Sequence, residues 1–119
     1  HGELITAIEI PLLPAGARSD YLKVRDRASY EFALTSAAVA LLIEDGVMTE
    51  ARVALGGVGT IPWRAAAAEE VLIGAAPGTA VFREAAEAAI VDPLIVPGTA
   101  FKVELAKRTI VRTLETVAR

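Results

Sequence analysis

The dipeptide Asp45-Gly46 narrows the possible folds of this chain most, because it joins two runs that can both be strands. The run from Ala33 to Ile43 is apolar and rich in alanine, so its periodicity alone fits a buried strand or a buried helix. Asp-Gly tolerates positive φ at both central positions of a tight turn, and strand-like alternation follows it in residues 52–55. We therefore predict a long antiparallel hairpin, about Ala33 to Glu44 paired with Val47 to Gly56.

Two shorter strands are predicted before this hairpin. Residues 4–10 alternate and are mostly β-branched, which favours a strand buried mainly on its even-numbered face, ended by Pro11 and Pro14. The next strand begins at Tyr21, and its alternation lets one side join a core while the other presents charge. Its two predicted faces are Tyr21, Lys23 and Arg25, and Leu22, Val24 and Asp26.

The period changes after Thr60, and three helices are predicted. Pro62 fits the first turn of one helix, and Gly74 fits its left-handed C-terminal cap. Thr79 can cap a second helix, and a third opens after Gly98 and runs to the chain end. Strands followed by helices indicate an α+β fold: an antiparallel sheet of about four strands, then three helices packed on it. At 119 residues this is a single domain, residues 1–119.

Composition excludes several classes of function. With 12 basic and 15 acidic residues the chain has no broad positive field, so we predict no nucleic-acid partner. It has no Cys for disulfides, thiolate zinc sites or iron–sulfur ligation. The apolar run 33–43 is far shorter than the ~20 residues that a membrane span needs, so no span is predicted. The only imidazole is the terminal His1, so neither a His-based catalytic triad nor a metal site is predicted.

The run Gly56-Gly57-Val58-Gly59 could be a phosphate-binding loop or a place of close backbone packing. A dinucleotide or P-loop motif needs a further Gly or a following Lys-Ser or Lys-Thr, and neither is present. We predict close backbone packing, in a tight connection from a strand to a helix, with Trp63 anchoring the helix.

Glu69-Glu70 is predicted to be part of a solvated helix face.

The strongest concentration of charge lies in the run from Tyr21 to Leu34. On an extended strand Lys23, Arg25 and Arg27 would project from one face at intervals of about 6.6 to 6.8 Å. Three aligned cations can hold a phosphate, a carboxylate or the electron-rich edge of a flavin. They can equally keep a solvated edge strand from aggregating, which is the reading favoured by the pattern alone.

Four segments in order resemble the C-terminal domain of the FAD-binding (medium) subunit of molybdenum hydroxylases. That family includes xanthine dehydrogenase, carbon monoxide dehydrogenase and aldehyde oxidoreductase, and the resemblance covers essentially the whole chain. The segments are Glu3 to Pro11, Tyr21 to Tyr30, Arg52 to Ala65 and Phe101 to Arg108.

The resemblance implies a non-catalytic part of an oxidoreductase. FAD would be bound in the full subunit, mainly by two preceding domains, and weakly or not at all by this chain. The molybdenum cofactor and the iron–sulfur clusters would lie in partner subunits. The domain would help cover the flavin and dock the subunits. Because the chain lacks an initiator Met and starts with a strand-like segment, we expect it to be part of a longer chain. The expected compartment is the cytoplasm, with export of the whole complex to the periplasm left open.

The resemblance also implies which residues lie near the flavin. Lys23 matches a lysine that the family places at the end of this strand, beside the cofactor. The segment Val24 to Leu34 resembles a loop close to the isoalloxazine ring, which makes Arg25, Arg27 and Tyr30 further cofactor-binding candidates. No catalytic residue is expected in the chain. The alternative function is a stand-alone interaction or scaffold module that binds an acidic partner through the basic strand.

Overall fold

The computed structural model describes residues 2–119, which form a four-stranded sheet and three helices. The sheet is antiparallel throughout, with its strands in sequence order. This confirms the predicted α+β fold. The elements are β1 (Arg18–Val24), β2 (Thr35–Glu44), β3 (Val47–Gly56), β4 (Trp63–Arg64), α1 (Ala66–Leu72), α2 (Thr79–Ala88) and α3 (Phe101–Val117).

The central hairpin of β2 and β3 confirms the prediction made from Asp45-Gly46. Both turn residues have positive φ, 50° at Asp45 and 79° at Gly46, as the Asp-Gly pair allows. The pairing runs from Glu44 opposite Val47 to Ser36 opposite Gly56, with an irregularity beside Leu42. The hairpin therefore holds the long apolar run as a strand, because its turn is local and its partner strand is adjacent in sequence.

The predicted strand over residues 4–10 is wrong for this structure. Residues 2–17 contain no strand, and the side chains of Leu4, Ile5, Ile8 and Ile10 are all at least 80% exposed. A strand needs a hydrogen-bonded neighbour, and this segment has none in the described sheet. The fourth strand is instead β4, a two-residue strand whose Trp63 and Arg64 pair with Leu55 and Ala54.

The first helix begins later in the sequence than predicted, because Trp63 and Arg64 pair with β3. The predicted helical position of Pro62 is wrong, because α1 begins only at Ala66, after β4 has ended. Gly74 follows the C-cap residue Ile73 of this helix with φ of +87°, which confirms its predicted left-handed conformation. Thr79 is the first residue of α2 and does not cap it, since no side chain bonds to the helix N-terminus there.

The hydrophobic core lies between one face of the sheet and the helices. Helix α3 packs on β1 and β2, α1 packs on β3, and α2 packs against α1 and α3. Buried core residues on the strands are Ala37, Val39, Leu41, Met48, Ala51, Val53 and Leu55, and the largest on the helices are Leu72, Phe82, Ile110 and Leu114. The helices gather on this one face, so the opposite face of the sheet, here called the open face, lacks a helical layer in the described structure.

No helix among residues 2–119 is both long enough and apolar enough to cross a membrane.

Candidate functional site

Lys23 lies at the end of β1 on the open face of the sheet, with its side chain exposed. Directly opposite it is Ser36 on β2, and opposite Ser36 is Gly56 on β3. Directly opposed residues project from the same face, so the three residues form one row across the sheet. Ser36 packs over Gly56, since a Cβ added at Gly56 would lie 2.5 Å from the Ser36 hydroxyl oxygen, and Ser36 itself is only 5% exposed. The exposed Lys23 side chain therefore stands beside a covered serine at this end of the sheet.

The open face also carries a cleft, whose lining does not include Lys23, Ser36 or Gly56. The next row joins Tyr21, Ala38, Ala54 and Arg64, with the alanines in the centre and the larger side chains at the edges. The cleft over this part of the sheet has a volume of about 710 Å³. Small residues in the centre of a strand face leave room for another group to lie against the backbone.

The predicted row of three cations is wrong. Strand β1 ends at Val24, so Arg25 and Arg27 belong to the following loop and do not continue the alternation of Lys23. The chain leaves the sheet there because Leu34 N–H donates to the carbonyl oxygen of Val24 at 2.8 Å, which closes residues 25–33 into a loop. Of the three predicted cations, only Lys23 lies on the sheet.

Arg27 organises this loop from within. Its backbone N–H donates to Oε2 of Glu31 at 3.1 Å, and its Nη2 donates to the carbonyl oxygen of Tyr30 at 2.5 Å. Tyr30 has φ of +57°, a left-handed conformation that is uncommon for an aromatic residue, and the Arg27 bond helps hold it. Arg27 thus has a structural role in the loop that sequence reasoning did not foresee.

The loop presents two exposed aromatic rings, Tyr30 and Phe32, whose side chains are 96% and 95% exposed. Sequence reasoning included Tyr30 as a candidate and missed Phe32. The signal was available, since only 5% of the chain is aromatic and two of these residues lie two positions apart in one loop. Rings at this exposure on a loop are more typical of contact with another molecule than of a core.

The glycine run after β3 supports the base of this loop, which confirms the close-packing prediction. Gly57 has φ of +73°, and a Cβ there would lie 3.0 Å from the backbone oxygens of both Ala33 and Leu34. Lys102 Nζ from α3 donates to the carbonyl oxygen of Gly57 at 2.7 Å. The passage leads into β4, not directly into a helix, and Trp63 pairs in that strand as a half-exposed residue.

Glu69 is buried, so its predicted place on a solvated helix face is wrong. Its Oε1 accepts a hydrogen bond from the backbone N–H of Val53 at 3.0 Å, and its Oε2 accepts one from Nη2 of Arg64 at 2.8 Å. Burial raises the pKa of Glu69, but the bonds from Arg64 and Val53 and the charges of Arg64 and Arg52 outweigh it, so the pKa lies below its usual value. The carboxylate is therefore held ionised beside the open-face cleft that it helps to line.

An apolar surface lies beyond β4, around a cavity of about 480 Å³ near Trp63 and the connection between α2 and α3. Its most exposed large residues include Leu94 at 93%, Val91 at 74% and Trp63 at 53%. Within residues 2–119, no group of three or more His, Asp or Glu residues could hold a metal ion. His1 lies outside the described residues.

Both the sequence and the fold of this chain are similar to those of known proteins. The family model described as CO dehydrogenase flavoprotein C-terminal domain matches residues 20–117. The aldehyde oxidoreductase FAD-binding subunit PaoB of Escherichia coli is 44% identical over 95% of this chain. The carbon monoxide dehydrogenase medium chain of Afipia carboxidovorans is 37% identical over 63% of it. The matched parts are 32% and 26% of those two proteins, so the chain spans a third of their length or less.

Solved structures give the same result for the fold. The carbon monoxide dehydrogenase of Hydrogenophaga pseudoflava that lacks the Mo-pyranopterin moiety superposes with a TM-score of 0.81, 28% identity and coverage of 91% of this chain and 39% of that one. The Cu,Mo-CO dehydrogenase in its cyanide-inactivated form superposes with a TM-score of 0.82 and 27% identity. The match covers 96% of this chain and 44% of that one. The resemblance inferred from the four sequence segments is confirmed. With its family model matched over most of its length, the chain belongs to the CO dehydrogenase flavoprotein C-terminal domain family.

Proposed function

We propose that this chain is the C-terminal domain of a longer FAD-binding subunit, in an oxidoreductase of the molybdenum hydroxylase type. The observation that carries the proposal is the 44% identity, over nearly the whole chain, to a protein named as an FAD-binding subunit of an aldehyde oxidoreductase. The partner subunits would hold the molybdenum cofactor, where substrate is oxidised, and the iron–sulfur clusters. FAD, when bound, would pass the electrons to a final acceptor.

The Lys23 end of the open face fits the edge of a flavin. The Lys23 side chain is exposed, and no carboxylate among residues 2–119 forms an ion pair with it. A positive charge beside the ring system stabilises added electrons, so Lys23 would raise the reduction potential of the flavin. Lys23 thus tunes and retains the cofactor, and the chain supplies no catalytic residue.

The loop of residues 25–33 would cover the cofactor from one side. Tyr30 and Phe32 offer exposed rings for this contact, while the two hydrogen bonds of Arg27 fix the loop shape. Arg25, exposed at the start of the loop, would add positive charge near the same region. The apolar surface around Leu94 and Trp63 would dock against the other parts of the complex, since exposed apolar residues in a contiguous group mark interaction sites.

The test uses the complete subunit with Lys23→Ala, Lys23→Arg and, as a matched control, Arg112→Ala on the exposed side of α3. We expect Lys23→Ala to lower the flavin reduction potential or the FAD content, Lys23→Arg to retain most of both, and Arg112→Ala to change neither. Potentiometric titration and the FAD-to-protein ratio measure the two quantities. An unchanged potential together with unchanged FAD content in Lys23→Ala would remove Lys23 from the site.

A second measurement tests the domain assignment. Because this chain would provide only one wall of the site, titration of the isolated chain with FAD, followed by flavin fluorescence, should show weak binding or none. Tight stoichiometric binding would show that the main site lies in this chain, against the proposal.

A further inference from the structure

Lys102 lies at a position in α3 where its charge does not stabilise the helix. It is the second residue of α3, and a cation is unfavourable there because the N-terminal end of a helix carries partial positive charge. No carboxylate among residues 2–119 forms an ion pair with it, whereas the first-turn acid Glu104 pairs with Arg108. The Lys102 side chain is also half-buried. Its position is therefore explained by a contact outside its own helix.

That contact is the carbonyl oxygen of Gly57, to which Lys102 Nζ donates at 2.7 Å. The two residues are 45 positions apart, and the hydrogen bond joins α3 to the connection between β3 and β4. A charged donor makes a stronger hydrogen bond than a neutral one, and partial burial strengthens it further. Lys102 therefore holds the peptide group of Gly57 in place.

The backbone of Gly57 lies against the point where the loop of residues 25–33 rejoins the sheet. A Cβ at Gly57 would lie 3.0 Å from the backbone oxygens of Ala33 and Leu34, so these two backbone segments are in close contact. Leu34 is also tied to β1, since its N–H donates to the carbonyl oxygen of Val24 at 2.8 Å. Because close-packed atoms transmit displacements, a shift of Gly57 would move this end of the loop. The exposed ring of Phe32 lies directly before it in the sequence.

We infer that Lys102 is a positioning residue for the loop that would cover the flavin. By holding Gly57 against residues 33–34, it determines where Tyr30 and Phe32 lie over the cofactor. This rests on the proposed function, which supplies the cofactor and its contact with the loop. Lys102 needs no contact with the flavin, because its effect passes through two packed backbone segments. Lys23 and Lys102 thus have different roles: Lys23 places a charge beside the flavin, and Lys102 sets the position of its cover.

The test uses the complete subunit with Lys102→Met, which removes the donor and keeps an apolar stem, and Lys102→Arg, which keeps the charge. In Lys102→Met the backbone amide of Leu34 should exchange with deuterium about tenfold faster or more, since a hydrogen bond from a charged donor is lost. Iodide should also quench the flavin fluorescence more strongly, because the ring is less well covered. Lys102→Arg should bring both quantities back towards the wild-type values.

Lys107→Met is the matched control, because Lys107 is another lysine of α3 whose ammonium group pairs with Glu87 of α2. This variant should lose stability without changing the exchange of Leu34 or the quenching by iodide. Equal changes in Lys107→Met and Lys102→Met would show that Lys102 acts only through general stability, which would overturn the inference. Unchanged exchange of Leu34 in Lys102→Met would overturn it too, as would faster exchange with unchanged quenching.

Lys102→Gln replaces Lys102→Met if the latter does not fold, since its side chain is shorter and uncharged but remains polar. The same faster exchange and stronger quenching are expected from it. A wild-type subunit that binds no FAD would contradict the proposed function. The exchange of Leu34 would then still decide whether Lys102 positions the loop.

Discussion

The two faces of the sheet are built from different side chains, although they alternate along the same strands. The face under the helices carries large apolar residues such as Leu41 and Leu55, each 2% exposed. The open face carries Ala38, Ala40 and Ala54 at its centre. The first face holds the domain together, whereas the second contributes little to the core. We therefore expect substitutions on the open face to change the stability of the domain little, even where they impair its function.

Leu41→Ala and Leu42→Ala give the largest expected contrast, because neighbouring residues of β2 point to opposite faces. Leu41 is buried among the core residues, so its truncation should lower the free energy of unfolding by about 2–5 kcal/mol and Tm by roughly 10 °C or more. Leu42 is half-buried on the open face, and its truncation should cost about 1 kcal/mol or less. Urea and thermal unfolding of both variants measure the difference. Similar losses would show that the two faces are equally important for stability.

Ala37→Leu and Ala38→Leu test the same contrast by enlarging one side chain on each face of the sheet. Ala37 is completely buried under the helices, so a larger side chain should cost about 1–3 kcal/mol of unfolding free energy. Ala38 is exposed, and the same change should alter the stability of the chain by about 0.5 kcal/mol or less. In the complete subunit, FAD content measured for Ala38→Leu reports whether the open face is covered there. A destabilised Ala38→Leu chain would contradict the contrast between the faces.

Glu69→Ala should cost about 1–3 kcal/mol, since it leaves the buried N–H of Val53 without its acceptor. Arg64 would lose its partner as well, but its side chain is mostly exposed and can be solvated by water. The control is Glu70→Ala, which removes an exposed carboxylate from the next position and should change stability by about 0.5 kcal/mol or less. Chemical denaturation of both variants decides the matter, and equal effects would show that the Glu69 contacts do not contribute.

The pKa of Glu69 also predicts a pH dependence. Its folded-state pKa lies below the unfolded value of about 4.3, so its ionised form stabilises the fold fully above that value. This stability is lost as the pH falls below about 4.3 and through the folded-state pKa. The unfolding free energies of wild type and Glu69→Gln, measured from pH 7 to pH 3, should therefore converge at the acid end. A constant difference across this range would contradict the lowered pKa.

Lys23→Ala should have the smallest effect on folding, because an exposed side chain at the end of a strand contributes about 0.5 kcal/mol or less. Thermal unfolding of the chain checks this. A larger loss would mean that any change of flavin properties in the complete subunit reflects damage to the fold and not the position of the charge.

The elements that the sequence predicted correctly are those that local chemistry determines. Asp45-Gly46 required positive φ at both positions, and this turn brought two adjacent runs into register. The glycines after β3 were correctly assigned to close packing, since Gly57 approaches two backbone oxygens. Lys23 was correctly predicted to lie on a strand, whereas only the family resemblance placed it at the strand's end, and its contact with flavin remains a prediction.

The errors concern features that depend on distant partners. Residues 4–10 have the pattern of a strand, but a pattern does not show whether a neighbouring strand is present in the same domain. Glu69 has the local sequence of an exposed helix carboxylate. Its burial could not be predicted locally, because the backbone N–H that donates to it belongs to Val53, 16 residues earlier. Arg25 and Arg27 were extrapolated along a strand whose end depends on the bond between Leu34 and Val24. Each error therefore concerns a partner, present or missing, that the local pattern does not show.

The outer edge of β3 determines where this sheet could grow. Beyond the short β4, its backbone bonds to other groups of the same domain: Val53 N–H to Glu69 and Val53 C=O to Ala65 N–H, while Met48 bonds with Gly74 and Ala75. A foreign strand would have to displace these partners to add there. The outer edge of β1 has no such cover within the described residues, and Arg18 and Lys23 lie along it. Any edge-to-edge aggregation of the isolated domain should therefore begin at β1, where charge is the main protection.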